Sequence, residues 1–310
     1  MKTGFAPVWL AARDRYDVVA LDREMLSTVR AWAEQQPVGP PLRVVDLGCG
    51  TGAGLRRALS WLADRPIAAY AVDRDADLLR RLALGDSGAM LAGRDAEPDA
   101  ERDAASSIVV PVVADLLGPL DAAGGPTDGT LDLVVSHAVA DLLPLDRFAR
   151  RVASLLRPGG HAHLALTYDG ETRFSPSDDP ALDTRVIAAY HRHMDLAREY
   201  EPTHGGSTAG RRLAAALTAA GLEVVRAAPS VWEVRASDGP DGRAVLDGLI
   251  GFVVRSLAEL GDSLGVELGR WEQARRAALD AGELRATVRH LDVLARRPER
   301  STPHVAATGR

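Results

Sequence analysis

Apolar residues follow two alternating rhythms along this chain. Val18, Leu21, Met25, Val29 and Trp32 fall three or four apart, the spacing of one helical face. That helix must stop before Pro37-Val-Gly-Pro-Pro41, because proline lacks an amide donor and disfavours helix in its predecessor. A short apolar run then predicts a buried strand at Leu42–Leu47, followed by a glycine-rich turn and a helix near 53–64. The alternation continues with a strand at Ile67–Val72, a helix at Asp75–Leu84, and strands at Ile108–Val113 and Leu131–Ser136. A helix at Leu145–Leu156 closes on Arg157-Pro-Gly-Gly160, and His161–Thr167 reads as a fifth strand. Residues 85–107, polar and rich in Gly, Asp and Ala, read as a surface excursion, and 118–129 as a loop. Strands alternating with helices predict an α/β fold with a parallel sheet and helices on both faces.

The rhythm loosens after that. Residues 170–184 read as a loop, Asp183–Tyr200 and Ser207–Ala220 as helices, with Gly221 closing the second. Leu222–Ala227 and Val231–Ala236 are strand-like, either separate or one strand bent at Pro229. Helices fill 241–261 and 266–281, Leu284–Ala295 reads as the last strand, and 297–310 as a frayed tail.

Composition narrows the function classes. The chain of 310 residues is 46% hydrophobic and 26% charged, enough to bury a large core. A net charge of −6 argues against a broad surface for nucleic acid or anionic lipid. Cys49 is the one cysteine, which excludes an internal disulfide and a multi-cysteine zinc site, so no metal is expected. The first ten residues hold no apolar core of a secretory leader, and no window approaches a membrane span. The expected location is the cytoplasm.

The chemistry concentrates in Val44-Val-Asp-Leu-Gly-Cys-Gly-Thr-Gly-Ala-Gly54. A strand runs into alternate glycines and then into a helix, so backbone can approach a ligand at the open amides of the helix N-terminus. A nucleotide-type cofactor at the carboxyl ends of the strands is the expected consequence. Gly48-Cys-Gly-Thr-Gly-Ala53 also fits a dinucleotide fingerprint, so a nicotinamide or flavin enzyme competes with an S-adenosylmethionine enzyme. Asp46 disfavours the first, because a carboxylate beside the turn repels a pyrophosphate but accepts from an ammonium group. Asp73, ending the second strand, suits ribose hydroxyls in either class. Asp115 after the third strand could accept from an adenine amino group.

In these pieces the chain resembles the class I S-adenosylmethionine-dependent methyltransferases. Val44–Gly52, Ala71-Val-Asp-Arg74, Ala114-Asp-Leu116, Leu133-Val-Val-Ser136 and Leu155-Leu-Arg-Pro-Gly-Gly160 stand in the family's order over roughly residues 40–170. The resemblance implies a Rossmann-like doubly wound sheet of about seven strands, the last antiparallel, with helical cap insertions. It implies S-adenosyl-L-methionine as cofactor and S-adenosyl-L-homocysteine as product, held by Asp46, Gly48, Cys49, Gly50, Asp73, Arg74, Asp115, Leu116 and Ser136. The implied organisation is an N-terminal helical cap at 1–36, the cofactor-binding core at 37–170, a cap insertion at 171–206, and a return to the core over 207–296. The last part carries inserted helices at 241–281, a departure from the family's usual short connection, and 297–310 is a flexible tail.

The acceptor side is less marked. DNA- and protein-amide-methylating relatives carry an Asn/Asp-Pro-Pro-aromatic run after the fourth strand, where this chain reads Ser136-His-Ala-Val-Ala-Asp-Leu-Leu-Pro144. A small-molecule acceptor is therefore expected, with no nucleic acid and no membrane as partners, and a homodimer allowed. His137 is a candidate general base, and His193, in the segment that should cap the site, a second candidate for catalysis. Arg13, Asp141, Tyr168 and Asp169 are candidates for holding the acceptor. His161 and His163 share a face of a buried strand without a third ligand and read as structural. A non-catalytic S-adenosylmethionine-binding regulatory protein is the competing hypothesis, and a NAD-dependent oxidoreductase the third.

Overall fold

The computed structural model describes residues 7–37, 39–62, 65–82, 90–91, 107–196, 205–260 and 265–299. One sheet carries strands β1 (Leu42–Leu47), β2 (Ile67–Asp73), β3 (Met90–Leu91), β4 (Ile108–Val113), β5 (Leu131–His137), β6 (Leu156–Ser175), β7 (Glu223–Arg235) and β8 (Arg285–Arg296). Their order is β3-β4-β2-β1-β5-β6-β8-β7. The pairs through β6 are parallel, and β8 runs antiparallel to both of its neighbours. This is a Rossmann-like doubly wound sheet of seven strands, its last strand in sequence antiparallel, with the two-residue β3 added at one edge. Strand order reverses at β1, whose neighbours are β2 and β5, and a ligand crevice opens at such a point.

The helices are α1 (Pro7–Ala20), α2 (Arg23–Glu34), α3 (Ala53–Trp61), α4 (Ala76–Leu79), α5 (Leu145–Leu155), α6 (Pro180–Leu196), α7 (Ala209–Ala219), α8 (Pro240–Leu260) and α9 (Gly265–Asp280). They form three apolar layers with the sheet. On one face Met25 and Val29 of α2 and Leu55 and Leu59 of α3 are buried against β1 and β2. On the other, Phe148 and Val152 of α5 and Leu213 and Leu217 of α7 pack on β5 and β6. A third cluster joins α1, α6, α8 and α9 to the outer lengths of β6, β7 and β8 through Trp9, Phe174, Trp232 and Trp271.

The structure departs from the sequence reading in particular places. The expected first helix is two: Asp22 accepts a hydrogen bond from the Met25 amide at 2.8 Å and caps α2, and Val18 lies outside the buried face at 54% exposure. The fifth strand starts before Arg157-Pro-Gly-Gly160 and runs to Ser175, where a loop was expected. Register shifts at Leu164/Thr167 and Tyr168/Glu171 bend it locally, with Leu166 at φ 58°, while it stays paired with β8 as far as Ser175. The bend is held from β8, whose Asp292 accepts from the Leu166 amide at 2.8 Å. The two strand-like runs form one strand, β7 (Glu223–Arg235), whose irregularity lies at Val224/Arg226. Pro229 sits on that edge strand, where no neighbour needs its missing amide. The helix expected at Asp75–Leu84 ends as α4 at Leu79, with Asp75 as its cap; residues 83 and 84 lie outside the described residues. The excursion at 85–107 contributes β3, and otherwise only residue 107 of it is described. The tail at 297–310 is described only to 299.

Among the described residues, no helix is long and apolar enough to cross a membrane. No group of three metal-binding side chains occurs among them either.

Candidate active site

A cavity of about 670 Å³ opens at the carboxyl ends of β1, β2, β4 and β5. Its floor is the glycine turn. Gly48 adopts φ 73°, and a Cβ there would lie 2.7 Å from Val139 Cγ2, so the turn passes tightly beneath the loop after β5. The amides of Gly48 and Cys49 donate to the Val72 carbonyl at 2.8 and 3.0 Å, which ties the turn to the end of β2. Asp73 completes that tie. One carboxylate oxygen accepts from the Gly50 amide at 2.9 Å, the other from the Asp75 amide at 2.9 Å. Each oxygen keeps a lone pair for a hydroxyl.

Asp46 is 1% exposed and lines the cavity. The Leu55 backbone amide donates to its carboxylate, but Oδ2 has no hydrogen-bond partner. Burial pushes this carboxyl up to about 7, opposed by the nearby Arg57 charge. Gly54 makes room for it: a Cβ at that position would lie 2.9 Å from Asp46 Oδ2 and 3.4 Å from His137 Nδ1. Arg74, Asp115 and Leu116 also line the cavity, and Asp115 accepts from the Leu117 amide at 3.0 Å.

His137 lines the cavity from the end of β5. Its Nδ1 lies 3.1 Å from Arg57 Nη2 and its Nε2 3.0 Å from His163 Nδ1. A guanidinium only donates, so Nδ1 accepts and the ring proton sits on Nε2, directed at His163. Burial, with the Arg57 charge beside it, holds His137 well below the usual histidine range. Both ring nitrogens are thus engaged inside the protein.

The remaining sequence candidates separate. Arg13 and Cys49 line the cavity, whereas Ser136, Asp141, Tyr168, Asp169 and His193 are not among the lining residues. Ser136 Oγ donates to the Leu47 carbonyl at 2.8 Å and pins β5 to β1. Asp169 is engaged by Arg211 Nε at 2.8 Å and Arg289 Nε at 3.5 Å, which fastens α7 and β8 to β6. Tyr168 Oη lies 2.9 Å from Thr172 Oγ1 and 2.6 Å from His191 Nε2. His193 is half-buried near the end of α6. Asp141 is raised to about 6 by burial; the Tyr168 amide donates to it, and its Oδ1 has no partner.

Sequence reasoning missed Leu10, Val139 and Arg57 as cavity residues. Arg57 is 7% exposed among the buried apolar positions of α3. The one available signal was a cation interrupting that apolar face, and adjacent Arg56 made the choice ambiguous.

The strand order, the glycine turn and the acids ending β1 and β2 and following β4 define a class I methyltransferase of the Rossmann-like kind. The chain belongs to the methyltransferase-domain family, which matches residues 13–227. No curated protein matches it. Among solved structures it is similar to a protein assigned as a type II methyltransferase from Anaeromyxobacter dehalogenans, at 20% identity, with 88% of this chain and 97% of that one covered and a TM-score of 0.48. A protein assigned as a methyltransferase from Bacillus halodurans C-125 is similar at 15% identity, over 88% of this chain and 99% of that one, with a TM-score of 0.46. One assigned as a sarcosine dimethylglycine methyltransferase from Galdieria sulphuraria is similar at 13% identity, over 89% and 85%, with a TM-score of 0.41.

Proposed function

We propose that this protein transfers a methyl group from S-adenosylmethionine to a small-molecule acceptor. The observation that carries the cofactor is Asp46 Oδ2, a buried carboxylate oxygen with no partner on the wall of the cavity. An unpaired buried acceptor of this kind is costly unless a donor arrives. The ammonium group of the cofactor's methionine part is such a donor, and the carboxylate disfavours a pyrophosphate in the same place. Asp73 would hold the ribose hydroxyls, Asp115 would face the adenine, and Gly48 and Gly50 would admit the chain between them. When bound, the cofactor supplies an electrophilic methyl on a sulfonium.

The protein's part is to position the acceptor's nucleophile in line with that methyl and to exclude water. We place the acceptor beside Arg13. Its guanidinium carbon lies 5.2 Å from the Trp9 ring centre and 5.6 Å from that of Trp232. Buried polar atoms without a partner occur on Asp141 (Oδ1), His290 (Nδ1) and Trp232 (Nε1). They belong to different elements, and the Arg13 charge reaches both Asp141 and His290. Such a set supports a compact polar acceptor with both donor and acceptor groups. Because both His137 nitrogens are engaged, His137 would serve by supporting Asp46 and Arg57 unless the Arg57 contact breaks during turnover.

Calorimetry with S-adenosylhomocysteine tests the cofactor, with 1:1 binding expected and NAD giving no heat. Incubation with methyl-labelled cofactor and a fractionated metabolite extract tests the acceptor. Label should pass to a small-molecule fraction, and label on protein or nucleic acid alone would reject that part of the reading.

A further inference from the structure

Arg57 is buried on α3, the helix that leaves the glycine turn, and its guanidinium meets α1 and β5 together. Nη1 pairs with Asp14 of α1, Nη2 lies 3.6 Å from Asp17 of α1, and Nη2 lies 3.1 Å from His137 Nδ1 of β5. Asp17 is 1% exposed and is also met by Arg13 Nε at 3.3 Å. Helix α1 supplies Leu10 and Arg13 to the cavity wall. At its other contacts it is fastened to the cap, with Trp9 Nε1 donating to the Val245 carbonyl at 3.5 Å and Tyr16 Oη to Asp238 at 2.9 Å. Arg57 is therefore a junction between the cap and the glycine turn.

The same guanidinium is a cation whose charge acts on Asp46. The charged and titratable groups around that carboxylate are Arg57 on α3, Asp73 on β2, His137 on β5 with His163 behind it, and Cys49 in the turn; Asp14, Asp17 and Arg13 of α1 stand beyond Arg57. Asp73, the nearby carboxylate, opposes ionisation of Asp46, and Arg57 favours it.

We propose that Arg57 is a positioning residue for the cofactor: it clasps α1 to the rim of the cavity through Asp14 and Asp17, and it supplies the buried positive charge that keeps Asp46 open to the cofactor's ammonium group. The inference rests on the reading of Asp46 as the ammonium's partner. It assigns Arg57 an electrostatic effect that a packing role would not produce.

The test is the affinity for S-adenosylhomocysteine between pH 5.5 and 9, measured by calorimetry. In the wild type, affinity rises through about pH 7 as Asp46 ionises. It falls again only where the ligand's α-amino group loses its proton, which in a free amino acid, beside its own carboxylate, lies above the roughly 8 of a peptide N-terminus. Asp46→Asn should abolish the rising arm and so assign it. Arg57→Lys keeps the charge and should leave the arm in place, while a looser α1 weakens binding several-fold. Arg57→Met with Asp17→Asn removes the cation together with the acid it would strand. It should shift the arm alkaline by about one unit or more; a one-unit shift lowers the ionised fraction at pH 7 from about half to about a tenth, so affinity there falls about fivefold or more. An unmoved arm in this double variant overturns the proposal. If the double variant does not fold, the imidazole ¹⁵N spectrum of the wild type decides, with His137 assigned from His137→Gln. An unprotonated Nδ1 from pH 6 to 8 supports the Arg57 contact, and a protonated Nδ1 overturns it. Failure of the wild type to bind S-adenosylhomocysteine at any pH would instead reject the cofactor reading itself.

Discussion

The rim made by β1, β2 and β4 differs in kind from the cap made by α1, α6, α8 and α9. At the rim the working groups are backbone amides and short acids, and they hold one another. Asp73 fixes the glycine turn through the Gly50 amide, and the Val72 carbonyl fixes it from below. One conspicuous acceptor, Asp46 Oδ2, is left over. The cap is an apolar cluster built on Trp9, Trp232 and Trp271, and two of its unpartnered polar atoms, Trp232 Nε1 and His290 Nδ1, fall on the side that Arg13 faces. The rim is a site already shaped by its own hydrogen bonds. The cap is a wall with polar groups that the fold itself leaves unsatisfied.

The largest expected effect lies at the leftover acceptor. Asp46→Asn should weaken S-adenosylhomocysteine binding by about 2–5 kcal/mol, the usual cost of truncating one partner of a buried charge pair. The same substitution should stabilise the ligand-free protein at pH 8. Burial raises the Asp46 carboxyl from 3.8 to about 7, so its favourable contribution is complete below 3.8 and is lost as pH rises through 7. Above that pH the folded state carries a desolvated charge, which asparagine removes. Melting temperatures at pH 8 and pH 5 check this; a variant less stable than wild type at pH 8 would mean the carboxylate is already paired.

A smaller loss should follow Gly48→Ala. A left-handed backbone costs an alanine about 1–2 kcal/mol, and the new Cβ would meet Val139 Cγ2 at 2.7 Å. Cofactor affinity should drop about tenfold, and Val139→Ala in the same chain should recover part of it by removing the contact. No recovery would place the whole cost in the backbone.

This contrast explains what was legible. The rim could be read because its parts are local: a strand, a turn and a helix within a dozen residues specify Asp46, Gly48 and Gly50 together. The cap could not, because its contacts join distant segments. Trp9 meets Trp232 at 6.3 Å between ring centres, and nothing near either residue announces the other. The strand β6 was cut short in the reading because Asp169-Gly170 looks like a turn. Here Gly170, at φ 75°, falls at a register shift, and Asp169 is occupied by Arg211. His137 was legible as a polar group at a strand end, but its partners Arg57 and His163 come from other elements, and they leave neither ring nitrogen free.

The buried histidines give a pH dependence opposite in sign to that of Asp46. Burial lowers His163 and His161 to about 4 and His290 to about 3, and holds His137 low as well. A depressed base stabilises the fold above its unfolded value, about 6.5, and loses that contribution as pH falls toward 4. The histidine part of the stability to thermal unfolding should therefore be nearly flat above pH 7 and fall between 6.5 and 4, against the raised carboxyls of Asp46, Asp141, Asp17 and Asp292, which act in the opposite sense over the same window. His163→Gln should flatten that slope, and an unchanged slope would mean that His163 is charged in the folded protein.

The smallest expected effect belongs to Trp232→Phe on the cap side. Trp232 is 4% exposed, its Nε1 has no partner, and its ring lies 4.5 Å from His290 and 6.3 Å from Trp9. An indole N–H only donates, so in the absence of a ligand the buried donor is a cost rather than a support. Phenylalanine removes that donor and keeps an aromatic face for Arg13 and His290, at the expense of some buried area. The two changes oppose each other, and stability in urea should shift by less than about 1 kcal/mol. Binding of S-adenosylhomocysteine should be unchanged, because Trp232 does not line the cofactor cavity. Turnover with the true acceptor should fall, with the loss in KM if the indole holds the acceptor and in kcat if it orients the nucleophile. A destabilisation above about 2 kcal/mol would show that the indole N–H already has a partner within the fold, and the cap would then be as self-contained as the rim.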